Sequence, residues 1–261
     1  MAKEGGCMRL GYARTEQWKR QIEIPGFGLE AQRVLEGSRV VVLGVGGVGC
    51  AAALYLAVAG VGELTLVDKD KVSPSNLNRQ VLYTWSDVGR PKAETARTRL
   101  AQINPALQAE VVGHDVRKDD VARLVKGASF VVESFDTIGA RLAANEACVK
   151  ENVPAVHAFA RDLSGELIIV EPGKTACLAC ALDENFPEED ECPVLGATAG
   201  LVGVYAALTA IKYMTGIAPA AGGCRLIFDF LLDRFIKVEL PQQTCCPVCG
   251  RGQALRGLAD G

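Results

Sequence analysis

Aromatic residues are scarce in this chain, at 6% of 261 positions, while hydrophobic residues as a whole make up 49%. A core that is large but poor in rings is built from Val, Leu and Ala, which suits an α/β protein. Strong charge of either sign is absent too. The formal net charge is −3, which argues against a protein held on nucleic acid by its overall field. The first residues, MAKEGGCMRLGYARTEQWKR, contain no apolar core, so they are not a secretory signal and the expected compartment is the cytoplasm. Internal repeats and low-complexity linkers are missing, and the length fits one large domain or two small ones. One stretch lacks charge altogether. Val194–Ile211 runs eighteen residues without an acid or base, at the threshold for crossing a membrane. Its glycines and threonines and its acidic flank favour a buried helix instead, with Gly196 and Gly200 allowing close packing.

What the chain does have is concentrated in Val40–Asp70, VVVLGVGGVGCAAALYLAVAGVGELTLVDKD. Val40–Leu43 reads as a buried strand. Gly44, Gly46 and Gly49 then give G-x-G-x-x-G, with Gly47 beside them, and an apolar helix runs from Cys50 to Ala59. A second strand, Leu64–Val67, ends at Asp68, nineteen residues after Gly49. Glycine permits a tight turn and lets backbone N–H groups approach phosphate oxygens. The helix N-terminus adds partial positive charge, and the acid can accept a bond from a ribose hydroxyl. Strand, glycines, helix, strand and acid in register identify a nucleotide site without saying which nucleotide.

Cysteine, at ten residues, is abundant for a chain without a secretion signal. Cys177-Leu-Ala-Cys180 and Cys246-Pro-Val-Cys249-Gly are two C-x-x-C knuckles separated by 65 residues. Each can hold half of a tetrahedral site, so the pair predicts a structural zinc held by four cysteines, with Cys245 beside Cys246 as a rival ligand to the better C-P-x-C-G knuckle; disulfide or redox use is the alternative. Cys50 and Cys148 fall on helix faces and read as core residues.

Alternation of period predicts strand 39–43, helix 49–59, strand 63–67, helix 91–103, strand 108–112, helix 118–126, strand 129–133, helix 138–151 and strand 154–158. That order implies a Rossmann-like, doubly wound, mainly parallel sheet with its ligand at the carboxyl ends of the strands. Leu167–Val170, Arg225–Phe230 and Phe235–Leu240 read as strands of an antiparallel extension flanked by the knuckles. The expected organisation is an N-terminal helical arm and connector over residues 1–37, one nucleotide-binding domain with the zinc knuckles over 38–250, and a tail over 251–261. Asp183–Glu191, with six acids in nine residues, reads as a solvated loop and a mobile flap.

Beyond the glycine turn stand Asp68-Lys-Asp70, then Asn76, Arg79 and Gln80, then Gly89-Arg-Pro-Lys92. Several cations at one strand end exceed what the two phosphates of a nicotinamide dinucleotide need. They suit a nucleoside triphosphate about to meet a carboxylate.

These motifs, together with Arg20-Gln-Ile, Asn104-Pro, Asp136 and both knuckles, resemble the MoeB/ThiF/HesA family, relatives of the ubiquitin-activating enzymes. The resemblance runs from residue 20 to residue 249. It implies ATP-dependent adenylylation of the C-terminal glycine of a ubiquitin-like sulfur carrier ending in Gly-Gly, with release of pyrophosphate. It further implies that Gly47 and its neighbours cradle phosphate, Asp68 binds ribose, and Asn76, Arg79 and Lys92 hold the triphosphate. Asp136 would organise Mg²⁺. Arg20 would reach the partner's site in a homodimer, and Cys192 would take part in sulfur transfer from a separate sulfur donor. Two departures stand out. The family's Arg-Tyr-x-Arg-Gln start is Gln17-Trp-Lys-Arg20-Gln here, and its D-x-x-D-N is Glu133-Ser-Phe-Asp136-Thr. Three other readings compete: a dinucleotide-dependent oxidoreductase, an adenylating enzyme acting on a modified tRNA, and a non-catalytic scaffold subunit. The oxidoreductase leaves Arg79, Lys92 and both knuckles without a task, the tRNA enzyme lacks a basic stripe, and a scaffold has no need of the phosphate-binding cations.

Overall fold

The computed structural model of the chain describes residues 16–182, 192–218 and 222–250. Its strands are β1 (Arg39–Leu43), β2 (Glu63–Val67), β3 (Gln108–Val112), β4 (Phe130–Glu133), β5 (Ala155–Arg161), β6 (Ser164–Val170), β7 (Cys224–Asp229) and β8 (Arg234–Glu239). They form one sheet in the order β3-β2-β1-β4-β5-β6-β7-β8. From β3 to β5 the pairing is parallel, and from β5 to β8 it is antiparallel. The expected parallel sheet with an antiparallel extension is what the chain forms.

Helices are α1 (16–22), α2 (Gly28–Glu36), α3 (Gly47–Ala59), α4 (Lys92–Ile103), α5 (Lys118–Val125), α6 (Ile138–Lys150), α7 (Leu178–Ala181) and α8 (Gly196–Thr215). They cover both faces of the sheet. Along β1, Val40 and Val42 enter one apolar cluster with α2, α3, α4 and α8, while Val41 and Leu43 enter a second with α5 and α6. A central parallel strand buried on both faces therefore reads as a continuous Val run, not an alternating one. Chain order along the sheet reverses between β1 and β4, which opens a crevice at their carboxyl ends.

Small differences from expectation have local causes. α3 starts at Gly47 because Gly46 already occupies the N-cap position. β5 and β6 are longer than predicted because they pair over Ala155–Arg161 and Ser164–Val170 around a tight turn. Among the described residues α8 is the helix long and apolar enough to cross a membrane. It is packed as a core helix against α3 and β5, as expected. The glycine that permits this is not Gly200, beside which there is open space. It is Gly203, where a Cβ would lie 2.2 Å from the Val48 carbonyl oxygen; Gly196 is equally tight, against Asn78. The arm is anchored by Trp18, which is buried and donates from Nε1 to the Val58 carbonyl at 2.9 Å. Gln21 adds a bond to Ala59 at 2.8 Å. The predicted flap 183–191, the tail 251–261 and the first fifteen residues lie outside the described residues.

Candidate active site

The glycine turn is built by backbone packing. Gly44 adopts φ +87° and its N–H donates to Val67 at 2.8 Å, which returns the chain tightly from β1. A Cβ on Gly49 would stand 1.9 Å from the Gly44 carbonyl oxygen, so only glycine lets the start of α3 close onto the turn. Gly44 and Gly49 shape the loop, while Gly46 and Gly47 face the cavity above it. The first intrahelical bond comes from Cys50 to Gly46. The N–H groups of Gly47, Val48 and Gly49 therefore stand at a helix start without intrahelical partners, a natural anion seat.

Asp68 braces this turn. Its carboxylate accepts from the Val45 N–H at 2.8 Å and from the Asp70 N–H at 2.9 Å. Burial raises its pKa, and Lys92 works in the opposite direction. Asp68 does not line the cavity, but two carboxylate oxygens retain lone pairs for a ribose hydroxyl.

Lys92 is the first residue of α4, with its side chain only 8% exposed and its Nζ 2.9 Å from Asp70 Oδ2. The segment bearing Asp70 bonds to the start of α4 through Lys92 N–H to Asp70 carbonyl and Val72 N–H to Arg90 carbonyl, which fixes this approach. A cation at the positive end of a helix is electrostatically misplaced unless an anion is provided. Asp70 provides one, and is itself exposed to the cavity.

Arg79 crosses Gly47, where a Cβ would come within 3.2 Å of the arginine stem, and donates to the Ser75 carbonyl at 2.9 Å and Asn78 Oδ1 at 3.0 Å. Asn76 spends its carbonyl oxygen on the Ser73 N–H at 3.0 Å, which leaves its NH2 to offer an anion.

A cavity of about 1020 Å³ gathers Gly46, Gly47, Asp70, Asn76, Arg79, Lys92, Asp136 and Cys192, eight of the residues selected from sequence. Asp136 follows β4, is exposed, and makes no ion pair among the described residues. Cys192 is exposed and also lines the cavity. Arg20 is not brought here. It is exposed on α1, beside the carboxyl end of α3, whose thirteen residues put it about 18 Å along the axis from the glycine turn.

Sequence reasoning missed several lining residues. Lys71, Arg141 and Arg161 add three cations, and Ser164–Glu166 of β6 form a wall that continues away from the glycine turn. Arg141 lies five residues past Asp136, at the end of the first turn of α6, and nothing local marks it as anything but a surface arginine. Gln80 was visible as part of the motif; it is buried, and its Oε1 has no partner among the described residues.

The two knuckles meet as expected. The Sγ atoms of Cys177, Cys180, Cys246 and Cys249 all lie within 4.8 Å of one another, with Cys177 to Cys246 at 3.8 Å and Cys180 to Cys249 at 3.4 Å. Four sulfurs about 2.3 Å from a tetrahedral ion stand about 3.8 Å apart, so the set fits a metal and is too widely spaced for disulfides. Burial pushes the Cys246 thiol up, but N–H groups of Cys249 and Val248 and the neighbouring thiols outweigh this and bring it down to about 7. Cys50 is different: burial pushes it up to about 12, as for an inert core thiol.

Comparison with known proteins agrees with this geometry. The sequence profile of the ThiF family matches residues 18–248. The chain is 39% identical to the sulfur carrier protein ThiS adenylyltransferase of Escherichia coli (strain K12) over 247 residues, 91% of this chain and 96% of that one. It is 36% identical to the molybdopterin-synthase adenylyltransferase of Salmonella typhimurium, covering 90% of this chain and 96% of the other. Among solved structures, E. coli MccB with ATP superimposes with a TM-score of 0.78 at 25% identity, over 85% of this chain and 69% of that one. With the profile spanning the sheet, the cavity and every knuckle cysteine but Cys249, the chain belongs to the ThiF family.

Proposed function

We propose that the chain adenylylates the C-terminal glycine of a ubiquitin-like sulfur carrier, using ATP and releasing pyrophosphate. The observation that carries this reading is the convergence of Lys92, Arg79, Asn76 and the free N–H groups of α3 with Asp136 around one cavity. The relatives named as adenylyltransferases support it. A hydride-transfer enzyme gives no task to that array.

The carrier's terminal carboxylate oxygen attacks the α-phosphorus, the bond to the bridging oxygen of pyrophosphate breaks, and an acyl-adenylate forms. The nucleophile is already ionised, so no protein base is required. The chain positions the two reactants and neutralises charge. The N–H groups at Gly47–Gly49 seat phosphate, and Asp68 is the ribose partner. Lys92 exchanges Asp70 for a phosphate oxygen, while Arg79 and the Asn76 NH2 hold the leaving pyrophosphate. The wall along β5 and β6 gives an extended Gly-Gly tail a path to the α-phosphate.

Asp136 presents the hard carboxylate oxygen that Mg²⁺ prefers, and it faces the cavity with no ion-pair partner among the described residues. Bound there, the ion supplies charge neutralisation at the phosphates. Zinc is the occupant assigned to Cys177, Cys180, Cys246 and Cys249, where it ties α7 to the segment after β8. Two copies form a homodimer, in which Arg20 serves the neighbouring cavity. Exposed Tyr55 on α3 and Leu201 and Leu208 on the adjacent α8 provide an apolar face for that contact. Cys192 acts after adenylylation, when a separate donor delivers sulfur. The setting is cytoplasmic.

Carrier-dependent ATP–pyrophosphate exchange tests the reading. Exchange is expected only with Mg²⁺ and a carrier ending in Gly-Gly. Lys92→Ala or Asp136→Ala is expected to lower it at least about tenfold, equivalent to ~1.4 kcal/mol of transition-state stabilisation. Exchange unchanged in both variants would remove the proposed site.

A further inference from the structure

Glu133 ends β4 and pairs in register with His157 on β5, so their side chains leave the sheet on the same face. Both are fully buried. His157 Nδ1 lies 2.9 Å from Glu133 Oε2, and Arg141 NH1 donates to that same oxygen at 3.2 Å. NH1 also donates to the Ala158 carbonyl at 3.0 Å, and the guanidinium carbon rests 4.0 Å above the Phe159 ring. Glu133 Oε1 accepts the Phe135 N–H at 2.6 Å. One buried carboxylate thus grips two things at once: the cavity-lining Arg141, and the backbone of the short loop that carries Asp136.

A carboxylate only accepts, so His157 Nδ1 is the donor in this pair. The other ring nitrogen of His157, Nε2, is buried and without a partner among the described residues, so the imidazole is held through Nδ1 by Glu133. Arg141 has spent NH1 on Glu133 and Ala158, which leaves Nε and NH2 for an anion in the cavity.

Resting on the adenylylation reading above, we infer that Glu133 and His157 are positioning residues. His157 holds the Glu133 carboxylate in the one orientation that sets both Arg141 and the Asp136 loop for the reaction.

The test is steady-state ATP–pyrophosphate exchange with a Gly-Gly carrier, using His157→Leu, His157→Asn and Glu133→Gln. Leucine removes the donor at similar volume. Asparagine keeps an N–H near the Nδ1 position. His157→Leu and Glu133→Gln are expected to lower kcat at least about tenfold with KM for ATP within about threefold, while His157→Asn recovers to within about threefold of wild type. Circular dichroism melts normalise each rate to folded protein, and Glu133→Gln with His157→Asn carry the test if the leucine variant does not fold. A wild-type kcat in Glu133→Gln, or His157→Asn falling as far as its folded leucine counterpart, would overturn the inference alone. Wild-type protein silent with every carrier would overturn the adenylylation reading and this inference with it.

Discussion

At the scale of single residues, the sharpest constraint is the 1.9 Å that would separate a Cβ on Gly49 from the Gly44 carbonyl oxygen. The contact is to backbone, so it cannot be relieved by a rotamer change. Gly49→Ala is expected to cost about 1–3 kcal/mol of stability, the overpacking range, read as a shifted urea midpoint at unchanged slope. A midpoint equal to wild type would mean that the turn is not closed as described. Cys192 makes a different prediction. It lines the cavity, yet the attack on the α-phosphorus needs no thiol. Cys192→Ala should therefore leave exchange within about threefold of wild type while slowing thiocarboxylate formation on the carrier, read by mass spectrometry with a sulfur donor present. Thiocarboxylate formed at the wild-type rate would leave the thiol without a task. Residues whose chemistry depends on a local motif, such as Lys92 and Asp136, were legible in the sequence. Glu133 and His157 were not, because their partnership joins positions 24 residues apart through strand register.

At the scale of elements, periodicity located every strand of the parallel half, since buried Val runs and apolar helices leave distinct patterns. Ends were blurred where capping decided them, as at Gly46. Of the two glycines expected to let α8 pack closely, Gly196 does so against Asn78 and Gly200 faces open space, while the approach to α3 is made at Gly203, because a helix pattern fixes a face but not which turn meets the neighbour. The short turn before α4 shows how a side chain organises an element. Asp87 accepts from the Thr84 hydroxyl at 2.7 Å and the Thr84 N–H at 2.9 Å, and Arg99 of α4 approaches to 3.6 Å. The Thr84 hydroxyl bond is the main cause of a lowered pKa, which burial opposes and the Thr84 N–H, Arg99 and Arg90 reinforce. A folded-state pKa below the ordinary 3.8 stabilises the fold above that value, and the effect is lost as pH falls through the folded pKa. Asp87→Asn should thus be less stable than wild type at neutral pH, with the gap narrowing as acid is added below that ordinary value. A gap independent of pH would show that the carboxylate charge is not what the site uses. The knuckles predict a second element-level effect. Removing metal from freshly reduced protein should speed hydrogen exchange in α7 and residues 240–250, while β1 and α3 stay protected. Uniform loosening, or none, would count against a local staple.

At the scale of the whole molecule, the order of strands and helices was legible, but the relation between Arg20 and the cavity was not. Only the fold shows that α1 is pinned by Trp18 and Gln21 to the far end of α3. That placement keeps Arg20 away from the chain's own cavity and leaves it exposed, which the proposed action in trans requires. Mixed dimers of Arg20→Ala and Asp136→Ala should recover part of the exchange activity, since one of two hybrid sites is intact; no recovery from demonstrably mixed dimers would exclude action in trans. The central claim, that this cavity transfers AMP to a carrier's terminal glycine, is tested most directly by intact mass. The protein is incubated with ATP, Mg²⁺ and a carrier ending in Gly-Gly, with pyrophosphatase present, and the carrier is weighed. The account predicts a carrier heavier by one AMP, and no adduct when the final glycine is deleted. AMP on the truncated carrier, or none on any Gly-Gly carrier while ATP is consumed, would contradict it.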